Sequence, residues 1–413
     1  MVSQWIAAAV AIAVVGAIFG APGLFLVATI TFAYGTLTRL WTRYGMRQVE
    51  YRRRLGATRA VVGDTVTLDV RIWNRKPLPL PWVSADDLVT DGLVIRERPD
   101  LDLDAEQIGR RHLDNAWSLA WFERVVRHYH IDAERRGSFE FGPVRVLVRD
   151  ILGRDAAAVS LELPARLTIA PRTLPVQQLG MAAAPLGDRR ARRSLYHDPA
   201  LFGGVRPFQP GDPLRHVHWR ATARLGVPVS RRYEPAHGRE VVIALDTQTI
   251  EGPYWEMAYN DDAFEGLCVA AASIARRLIL DGTACGLATA SFTGTAQRIA
   301  WLAPSASVGQ VTRVGELLAR IGPISSGPYE ELLTWLTRRL APGCTILALT
   351  TRDPRRRIGV LRRLVLSGFD VELVAIGDQG AIQAQAVRTA GIRARAANVS
   401  PDWRRARALE LAV

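Results

Sequence analysis

Cysteine and lysine are scarce in this sequence. Its three cysteines, Cys268, Cys285 and Cys344, have no short CxxC spacing, which argues against a zinc cage and against a disulfide framework. Their apolar neighbours predict thiols packed in the interior of a protein from a reducing compartment. A Walker lysine motif, a GxSxG elbow and an HExxH pair are also missing, so we predict that the protein is not an enzyme.

Basic charge is abundant but not concentrated. The chain has 413 residues and a formal net charge of +13, and Lys76 is its only lysine, so arginine carries the excess. A basic chain can bind anionic lipid, nucleic acid or an acidic protein face. The arginines are scattered through all segments, without the aromatic-interleaved basic block that follows a nucleic-acid strand. We therefore expect no nucleic-acid binding.

Residues 1–55 are predicted to form a transmembrane hairpin with a basic flank. The stretch Trp5–Thr38 is almost free of charge. At about 1.5 Å per residue it is too long for one straight membrane span and short for two full spans. Because the sequence Gly-Ala-Pro-Gly at residues 20–23 interrupts it, we favour two helices, Gln4–Phe19 and Leu24–Leu40. One tilted or kinked span is the alternative.

Cationic residues follow this apolar stretch at once. They are Arg39, Arg43, Arg47, Arg52, Arg53 and Arg54. Because positively charged flanks stay in the cytoplasm, the large C-terminal part of the chain is predicted to face the cytoplasm from the cell (inner) membrane. Trp41 and Tyr44 suit the interfacial layer of a bilayer, and the arginines could hold anionic lipid headgroups.

Residues 56–175 carry the pattern of an all-β, sandwich-like domain. Val66, Leu68, Val70 and Ile72 alternate with polar residues, which is typical of a half-buried strand. Further strands are predicted at 119–132, 139–149 and 161–170, separated by turns rich in glycine and proline. Residues 176–201 contain few large apolar residues and several arginines, so this segment is predicted to be a linker.

Residues 239–413 alternate between strand and helix patterns. Val241–Leu245 is a continuous apolar run, as expected of a strand buried on both faces, and it ends at Asp246. Helices are predicted from Asp261 or Asp262 to Leu280 and at 306–321, 328–341, 354–367 and 380–390, with strands between them. This alternation predicts a doubly wound α/β sheet.

Residues 202–238 join these two regions. Asp212 is a good N-cap, Pro213 suits the first helical position and Gly226 suits a left-handed C-cap, so a helix is predicted over Pro213–Leu225. On that helix Arg215 and Trp219 share a face, where a guanidinium can lie over an indole. A helix also turns His216 and His218 to different sides, which argues against a metal pair. The segment is either a clamp between domains or a surface that binds a partner.

The residues of this segment carry a family resemblance. Gly211-Asp212, Arg215, Trp219 and Ala221-Thr222-Ala223-Arg224 resemble the signature of the "domain of unknown function 58" family, which comprises membrane-anchored bacterial proteins with a von Willebrand factor type A-like module. The resemblance extends over nearly the whole chain. It implies a partner, a MoxR-type AAA+ ATPase, and a partner-binding role for Arg206, Gly211, Asp212, Arg215, Trp219, Ala223 and Arg224.

Type A modules also imply a place for a metal. They hold Mg²⁺ with an Asp-x-Ser-x-Ser motif after the first strand, where this chain has Asp246-Thr247-Gln248-Thr249-Ile250. Ile250 cannot ligate a metal, and Gln248 can do so only through its amide oxygen. Thr351 and Asp353, beyond a later strand, could add oxygen ligands. We favour a degenerate module that uses no cofactor, and a metal-dependent receptor or enzyme with Mg²⁺ at Asp246 is the alternative.

The predicted architecture is thus a membrane anchor plus an α+β multidomain chain. It combines a transmembrane hairpin with two helices, a β-sandwich-like domain and a von Willebrand A-like α/β domain. The predicted function is a cytoplasm-facing scaffold or adaptor that works with the ATPase in assembling or remodelling envelope complexes. Other membrane or envelope proteins and membrane lipid are further expected partners.

Overall fold

The computed structural model describes residues 2–96, 112–149, 155–177, 202–208, 217–233, 240–293, 297–398, 403–404 and 406–412. The chain divides into two compact units, Met1–Ala170 and Pro171–Val413. It is a mixed α/β protein, and each unit has sheets of its own.

The first unit begins with a helical hairpin, α1 (Val2–Phe19) and α2 (Pro22–Tyr44). Gly20 ends α1 in a left-handed conformation with φ of 60°, and Pro22 opens α2. Close packing joins the helices, since a Cβ added at Gly35 would lie 3.0 Å from the Cβ of Trp5. By length and composition, Pro22–Trp41 is able to cross a membrane, whereas the apolar part of α1, Gln4–Phe19, is shorter.

Trp41 is a core residue, whereas the sequence predicted an interfacial side chain that contacts lipid. Its side chain is 5% exposed and belongs to the hydrophobic core of the strands that follow. The indole Nε1 donates a hydrogen bond of 3.0 Å to the carbonyl oxygen of Pro79. Because this carbonyl accepts from the indole N–H, the large ring can be buried in the core, and the end of α2 is fixed to the strands.

Ten strands form two sheets around one core. They are β1 (Val49–Leu55), β2 (Arg59–Val61), β3 (Thr65–Asn74), β4 (Leu80–Val89), β5 (Val94–Arg96), β6 (His112–Leu119), β7 (Arg124–Asp132), β8 (Gly137–Arg149), β9 (Asp155–Leu161) and β10 (Ala165–Ala170). One sheet has the order β1-β3-β7-β5 and the other β2-β10-β8-β4-β6, with β9 on β8. The alternation in β3 is confirmed, since Val66, Leu68, Val70 and Ile72 are all buried. The predicted strand at 119–132 is wrong at its start, because a turn separates β6 from β7.

Arg53 is buried rather than part of an exposed basic flank. It lies on the same face of β1 as Tyr51, because side chains two apart share a face of a strand. The guanidinium donates to both oxygens of Asp87, and Tyr51 donates to Asp87 as well, at 3.1 Å. A buried carboxylate therefore removes this arginine from the set available to lipid.

The second unit contains an eight-stranded sheet flanked by helices. The elements of this unit are β11 (Val176–Gln177), β12 (Phe202–Pro207), α3 (Trp219–Leu225), β13 (Val229–Tyr233), β14 (Glu240–Leu245), α4 (Asp261–Leu280), β15 (Ala284–Thr289), β16 (Ala300–Ser305), α5 (Gly309–Arg320), α6 (Tyr329–Leu336), β17 (Thr345–Thr350), α7 (Ile358–Leu366), β18 (Asp370–Ile376), α8 (Gly380–Thr389), β19 (Arg393–Asn398) and β20 (Leu409–Ala412). Strands β12 and β13 form a separate two-stranded sheet. The order of the eight-stranded sheet is β16-β15-β14-β17-β18-β19-β20-β11.

The central strands β15, β14, β17, β18 and β19 are parallel, and β16 is an antiparallel edge strand. From β14 the chain first builds the sheet on one side, through β15 and β16. It then crosses to β17 on the other side of β14 and continues through β18 to β19. The order of strands therefore reverses between β14 and β17. In open α/β sheets the crevice outside the carboxyl ends of two such strands is where ligands bind.

Two expectations about the connecting segments need correction. Val176–Gln177, predicted to be linker, form β11 and pair with β20, while residues 178–201 lie outside the described part of the chain. The predicted helix over 213–225 begins only at Trp219. Val217 forms a bridge with Ser230, and the Nδ1 atom of His218 accepts the cap hydrogen bond from the Ala221 amide at 3.1 Å. The predicted C-cap is confirmed, since Gly226 has φ of 71°.

Candidate functional site

The crevice between β14 and β17 contains a buried aspartate, Asp246. The apolar strands β14 and β17 run side by side, so the residue that ends the first lies beside the loop that follows the second. Its amide donates to the carbonyl oxygen of Leu349 at 3.0 Å, and its side chain is 2% exposed. A carboxylate this deeply buried requires compensating charge or hydrogen-bond donors.

Arg352 supplies that compensation. Its Nε lies 3.0 Å from Oδ2 of Asp246, and its Nη2 lies 2.9 Å from each carboxylate oxygen. Thr350 adds a hydrogen bond of 2.8 Å from its hydroxyl to Oδ2, and the same hydroxyl oxygen accepts from the Arg352 amide. Arg352 is itself only 5% exposed. The two side chains form a buried fork-to-fork ion pair, which is a strong and directional arrangement.

A second buried guanidinium, that of Arg357, extends the cluster. Its Nε lies 3.9 Å from Oδ2 of Asp246 and 3.2 Å from a carboxylate oxygen of Glu330. Its Nη1 donates to the carbonyl oxygen of Asp353 at 2.7 Å and lies 3.7 Å from Glu251. Two buried positive charges thus face one buried carboxylate, and the remaining negative charge comes from Glu251 and Glu330 at the rim, whose side chains are 36% and 40% exposed.

Burial and charge act in opposite directions on this cluster. Burial raises the pKa of the Asp246 carboxyl above its ordinary value, and the guanidinium groups of Arg352 and Arg357 counteract that rise. The neighbouring Tyr329 hydroxyl donates to the carbonyl oxygen of Ala244 at 2.8 Å. Burial, with the charge of Asp246, raises the Tyr329 pKa well above its ordinary value, so this hydroxyl stays protonated at neutral pH.

The four residues predicted as metal ligands do not fit a Mg²⁺ ion. Both oxygens of Asp246 accept hydrogen bonds from Arg352, whose guanidinium lies where a cation would balance the carboxylate. Gln248 donates to the carbonyl oxygen of Gly252 at 3.3 Å, and the side chain of Asp353 accepts from the Nε of Arg355 at 2.8 Å. The arginine at that carboxylate lowers the pKa of Asp353.

Thr351, the fourth of these residues, has a buried hydroxyl with no hydrogen-bond partner in the described chain. Within that part of the chain, no group of three or more histidine, cysteine or acidic side chains is placed to hold a metal. Sequence reasoning named Thr351 and Asp353 and passed over Arg352 between them. A cation adjacent to two proposed oxygen ligands was the signal available in the sequence.

The segments that follow β14 and β15 carry exposed apolar side chains, which we call the apical surface. Its members follow the carboxyl ends of β14 and β15, and they are Ile250, Trp255, Met257, Tyr259 and Phe292, with exposures from 42% to 68%. Met257 adopts a left-handed conformation with φ of 54°, which is unusual for a side chain other than glycine. An exposed apolar group at the ligand-binding edge of such a sheet is a candidate contact surface for a protein.

The signature segment provides a second exposed patch. Trp219 is 67% exposed, and Ala223 and Arg224 are exposed on the same short helix, α3. Arg206 lies on β12, opposite Ser230 of β13. Gly211, Asp212 and Arg215 lie outside the described residues, and so does the predicted contact of Arg215 with Trp219.

No family model matches the chain. It is similar to an uncharacterised protein, YeaD, of Bacillus subtilis (strain 168), with 23% identity over 248 residues, or 60% of this chain and 57% of that relative. The alignment therefore spans little more than half of the relative's length.

Solved structures align with smaller parts of the chain. A CARDB domain from Pyrococcus furiosus aligns with 31% of this chain and 98% of its own length, at 11% identity and a TM-score of 0.19. A non-cellulosomal cohesin from Archaeoglobus fulgidus aligns with 30% of this chain and 91% of its own length, at 12% identity and a TM-score of 0.21. At TM-scores this low, neither alignment supports an argument about this chain.

Proposed function

We propose that the second unit is a protein-binding module that works without a metal ion and that binds its partner through the apical surface. The observation that carries this proposal is the Asp246–Arg352 ion pair. The guanidinium occupies the place of a cation, and both oxygens of the buried carboxylate already accept hydrogen bonds within the chain. The exposed apolar side chains of the apical surface remain as the means of contact.

The module is, in this proposal, a member of the von Willebrand A-like α/β folds. Counted from β14 as the first strand, the central six strands have the order 3-2-1-4-5-6, and the third strand is antiparallel. The ten strands of the first unit form the β-sandwich-like domain of the same architecture. This support is topological and is independent of the signature residues.

The first unit anchors the protein in a membrane, through α1 and α2 as a two-span hairpin with the rest of the chain in the cytoplasm. The helices pack against each other along their length, with an edge-to-face contact of 5.2 Å between Trp5 and Tyr34. Arg39, Arg43 and Arg47 lie at or just beyond the end of α2, which favours a cytoplasmic position for that end.

The proposed partner is a MoxR-type AAA+ ATPase, named by the family resemblance. On this view the protein is an adaptor or scaffold for envelope complexes and has no catalytic activity of its own. Such an adaptor needs a fixed anchor and a rigid, exposed contact surface. The helical hairpin and the apical surface meet these two requirements.

Cross-linked affinity isolation from native membranes, with and without ATP, tests the proposal. Four forms are compared, namely the parent chain, a Trp255→Ser/Met257→Ser variant of the apical surface, Trp219→Ser in the signature segment, and Leu366→Ser as the control. Leu366 is 82% exposed and ends α7 at the opposite edge of the sheet, so this control removes a large exposed apolar side chain elsewhere.

We expect the parent and the control to capture an AAA+ ATPase in an ATP-sensitive manner, and the apical variant to lose it. If the apical variant still captures the ATPase and Trp219→Ser does not, the contact lies in the signature segment and not on the apical surface. Absence of any ATPase from the parent isolation would refute the adaptor proposal. Saturable Mg²⁺ binding to the full chain that Asp246→Asn abolishes would favour a metal-dependent receptor or enzyme instead.

A further inference from the structure

One end of the first unit carries exposed aromatic residues beside the end of α2. We call it the proximal tip and define it as residues 74–82, which join the end of β3 to the start of β4, together with residues 119–124, which join the end of β6 to the start of β7. The Trp41–Pro79 hydrogen bond of 3.0 Å joins this tip to α2. A second bond, of 2.9 Å, runs from the Arg75 amide to the carbonyl oxygen of Gln48, in the turn that follows the helix. The tip is therefore held at the point where α2 ends.

Three large aromatic side chains of the tip project into solvent. Trp82 is 48% exposed, Trp121 68% and Phe122 61%. Phe122 has φ of 55°, a conformation that costs free energy for a side chain with a Cβ. Its amide donates to the carbonyl oxygen of Lys76 at 3.2 Å, which helps to hold the turn. Three large rings exposed at one end of the unit form an apolar group that is a candidate contact surface.

The tip also contains the single lysine of the chain. Lys76 is 5% exposed, and its ammonium group donates no hydrogen bond to any described residue. Burial lowers its pKa from 10.5 to about 8, so the group still carries its charge at neutral pH. A buried cation without acceptors is costly, and an anionic group from outside the chain would satisfy it. The flexible four-carbon stem of lysine allows the ammonium to reach such a group at the surface.

We propose that the proximal tip docks onto an anionic bilayer surface, with Trp82, Trp121 and Phe122 in the interfacial layer and Lys76 bound to a lipid phosphate. The proposal rests on the membrane anchoring proposed for α1 and α2. Tryptophan prefers the headgroup layer, where its ring is apolar on one side and wet on the other. Arg149, whose guanidinium lies 5.7 Å from the centre of the Trp82 ring, adds positive charge near the same surface.

The position of the tip favours lipid over a protein partner. A helix that crosses a membrane brings its last turn to the headgroup layer, and this layer is about 5–8 Å thick on each side. The tip is bonded to residues within and just after that last turn, Trp41 and Gln48. A surface fixed there meets lipid before it meets any soluble protein, and anionic headgroups complement its cations.

Spin-label depth measurement on the full chain in vesicles of phosphatidylcholine and phosphatidylglycerol tests the docking. The three native cysteines are buried, so nitroxide labels can be attached at Trp121→Cys in the tip and Val61→Cys at the opposite end of the unit. Ile30→Cys, on the exposed middle of α2, reports the anchoring itself. We expect the label at 121 to be protected from a water-soluble nickel relaxant and accessible to oxygen, and the label at 61 to show the reverse.

The three positions separate the two proposals. If the labels at 121 and 61 are equally accessible to nickel and the label at 30 is buried in lipid, the docking proposal is refuted and the anchoring proposal is not. Nickel access at position 30 would overturn the anchor and the docking together.

A lipid titration of the full chain in nonionic detergent, followed by native mass spectrometry, tests Lys76. We expect Lys76→Met to weaken the binding of phosphatidylglycerol about fivefold, the worth of one cation at an anionic surface, and to leave phosphatidylcholine binding unchanged. Arg59→Met, which removes one charge from β2 at the opposite end, is the matched control and should bind like the parent. Equal phosphatidylglycerol affinity in all three forms would refute the role of Lys76.

Discussion

A guanidinium group and a magnesium ion can both balance a buried carboxylate, but with different consequences. Mg²⁺ keeps open coordination positions that a water or a partner's carboxylate can fill. The guanidinium of Arg352 instead directs its Nε and Nη2 donors at Asp246 and has no open coordination position that a ligand could fill. At the scale of single residues, Arg352 is therefore the reason that we propose binding by apolar contact and not through a metal.

Removing either partner of the Asp246–Arg352 ion pair should destabilise the protein strongly. We expect Asp246→Ala and Arg352→Met each to lower the free energy of unfolding by about 3–5 kcal/mol, because each leaves a buried charge without its partner. The double variant should lose less than the sum, by up to about 3 kcal/mol. Guanidinium chloride unfolding of the full chain in detergent measures all three.

Asp353→Ala is the control for these variants. Its partner Arg355 is 66% exposed, and an exposed pair contributes about 1 kcal/mol or less. If instead Asp246→Ala unfolds like the parent, and Mg²⁺ stabilises the parent alone, then Asp246 is a metal ligand after all.

Lys76 gives a second residue-scale prediction, on pH. Burial lowers its pKa from 10.5 to about 8, so the folded chain releases this proton at lower pH than the unfolded chain. Between these values the unfolded state binds more protons, and stability rises with pH. Below pH 8 the charged Lys76 amine lowers the free energy of unfolding by its full desolvation cost, up to about 3 kcal/mol. Relative to Lys76→Met, the parent should thus gain stability from pH 8 to 10.5.

This prediction is measured as the difference in unfolding free energy between parent and variant at several pH values in nonionic detergent. Groups that titrate in both forms cancel in the difference. Parallel curves for the two forms across this range would show that the Lys76 amine is not desolvated in the folded chain.

At the scale of elements, edge strand β16 depends on a glycine in its neighbour. A Cβ added at Gly286 of β15 would lie 2.7 Å from the carbonyl oxygen of Leu302 and 2.9 Å from the nitrogen of Pro304. These are backbone and ring atoms that cannot rotate away. The close approach of the two strands therefore requires glycine at this position.

We expect Gly286→Ala to destabilise the second unit by about 1–3 kcal/mol and to displace β16. Hydrogen exchange of the full chain should show faster exchange in residues 300–305 and little change in β18. Gly309→Ala is the matched control, since no atom lies within 4 Å of the added Cβ. Unchanged protection of β16 in Gly286→Ala would mean that the strands can separate without loss of pairing.

Element boundaries show where sequence reasoning succeeded and where it failed. The helix Asp261–Leu280 agrees with its prediction, and the strand predicted at Val241–Leu245 is β14, which begins one residue earlier. Long apolar patterns and caps determine such elements locally. The helix over 213–225 was placed too early, because Val217 is drawn into a bridge with Ser230 on β13. That partner lies in a later strand and leaves no mark on the local pattern.

At the scale of the whole molecule, the length of the two helices limits how the chain meets a membrane. At about 1.5 Å per residue α1 is about 27 Å long and α2 about 35 Å, against a hydrocarbon core of about 30 Å. The hairpin and the single span differ in where the N-terminus lies. In a hairpin the start of α1 is on the same side as the second unit, and in a single span it is on the opposite side.

Cysteine labelling in intact cells distinguishes these two topologies. We expect a membrane-impermeant maleimide to label Phe19→Cys, at the end of α1, and to label Gln4→Cys only after permeabilisation. Val61→Cys should behave like Gln4→Cys, and the buried native cysteines should stay unlabelled in all forms. Labelling of both Gln4→Cys and Phe19→Cys in intact cells would establish one span.

The sequence by itself determined the features that depend on neighbouring residues. These are the apolar hairpin, the period-two strands of the first unit, the alternating α/β pattern of the second, and the burial of the three cysteines. The hydrophobic period, caps and glycines that produce them act within a few residues of each other.

Only the tertiary structure decided the chemistry of the candidate site. Arg352 is 106 residues from Asp246, and their ion pair exists because β14 and β17 are parallel neighbours in register. In the same way, Trp41 is a core residue whose indole bonds to the carbonyl oxygen of Pro79, and Lys76 is buried in a segment whose backbone bonds to the turn between β6 and β7. Contacts between distant segments follow from the packing of sheets, and local sequence patterns do not encode which distant side chain will fill a given place.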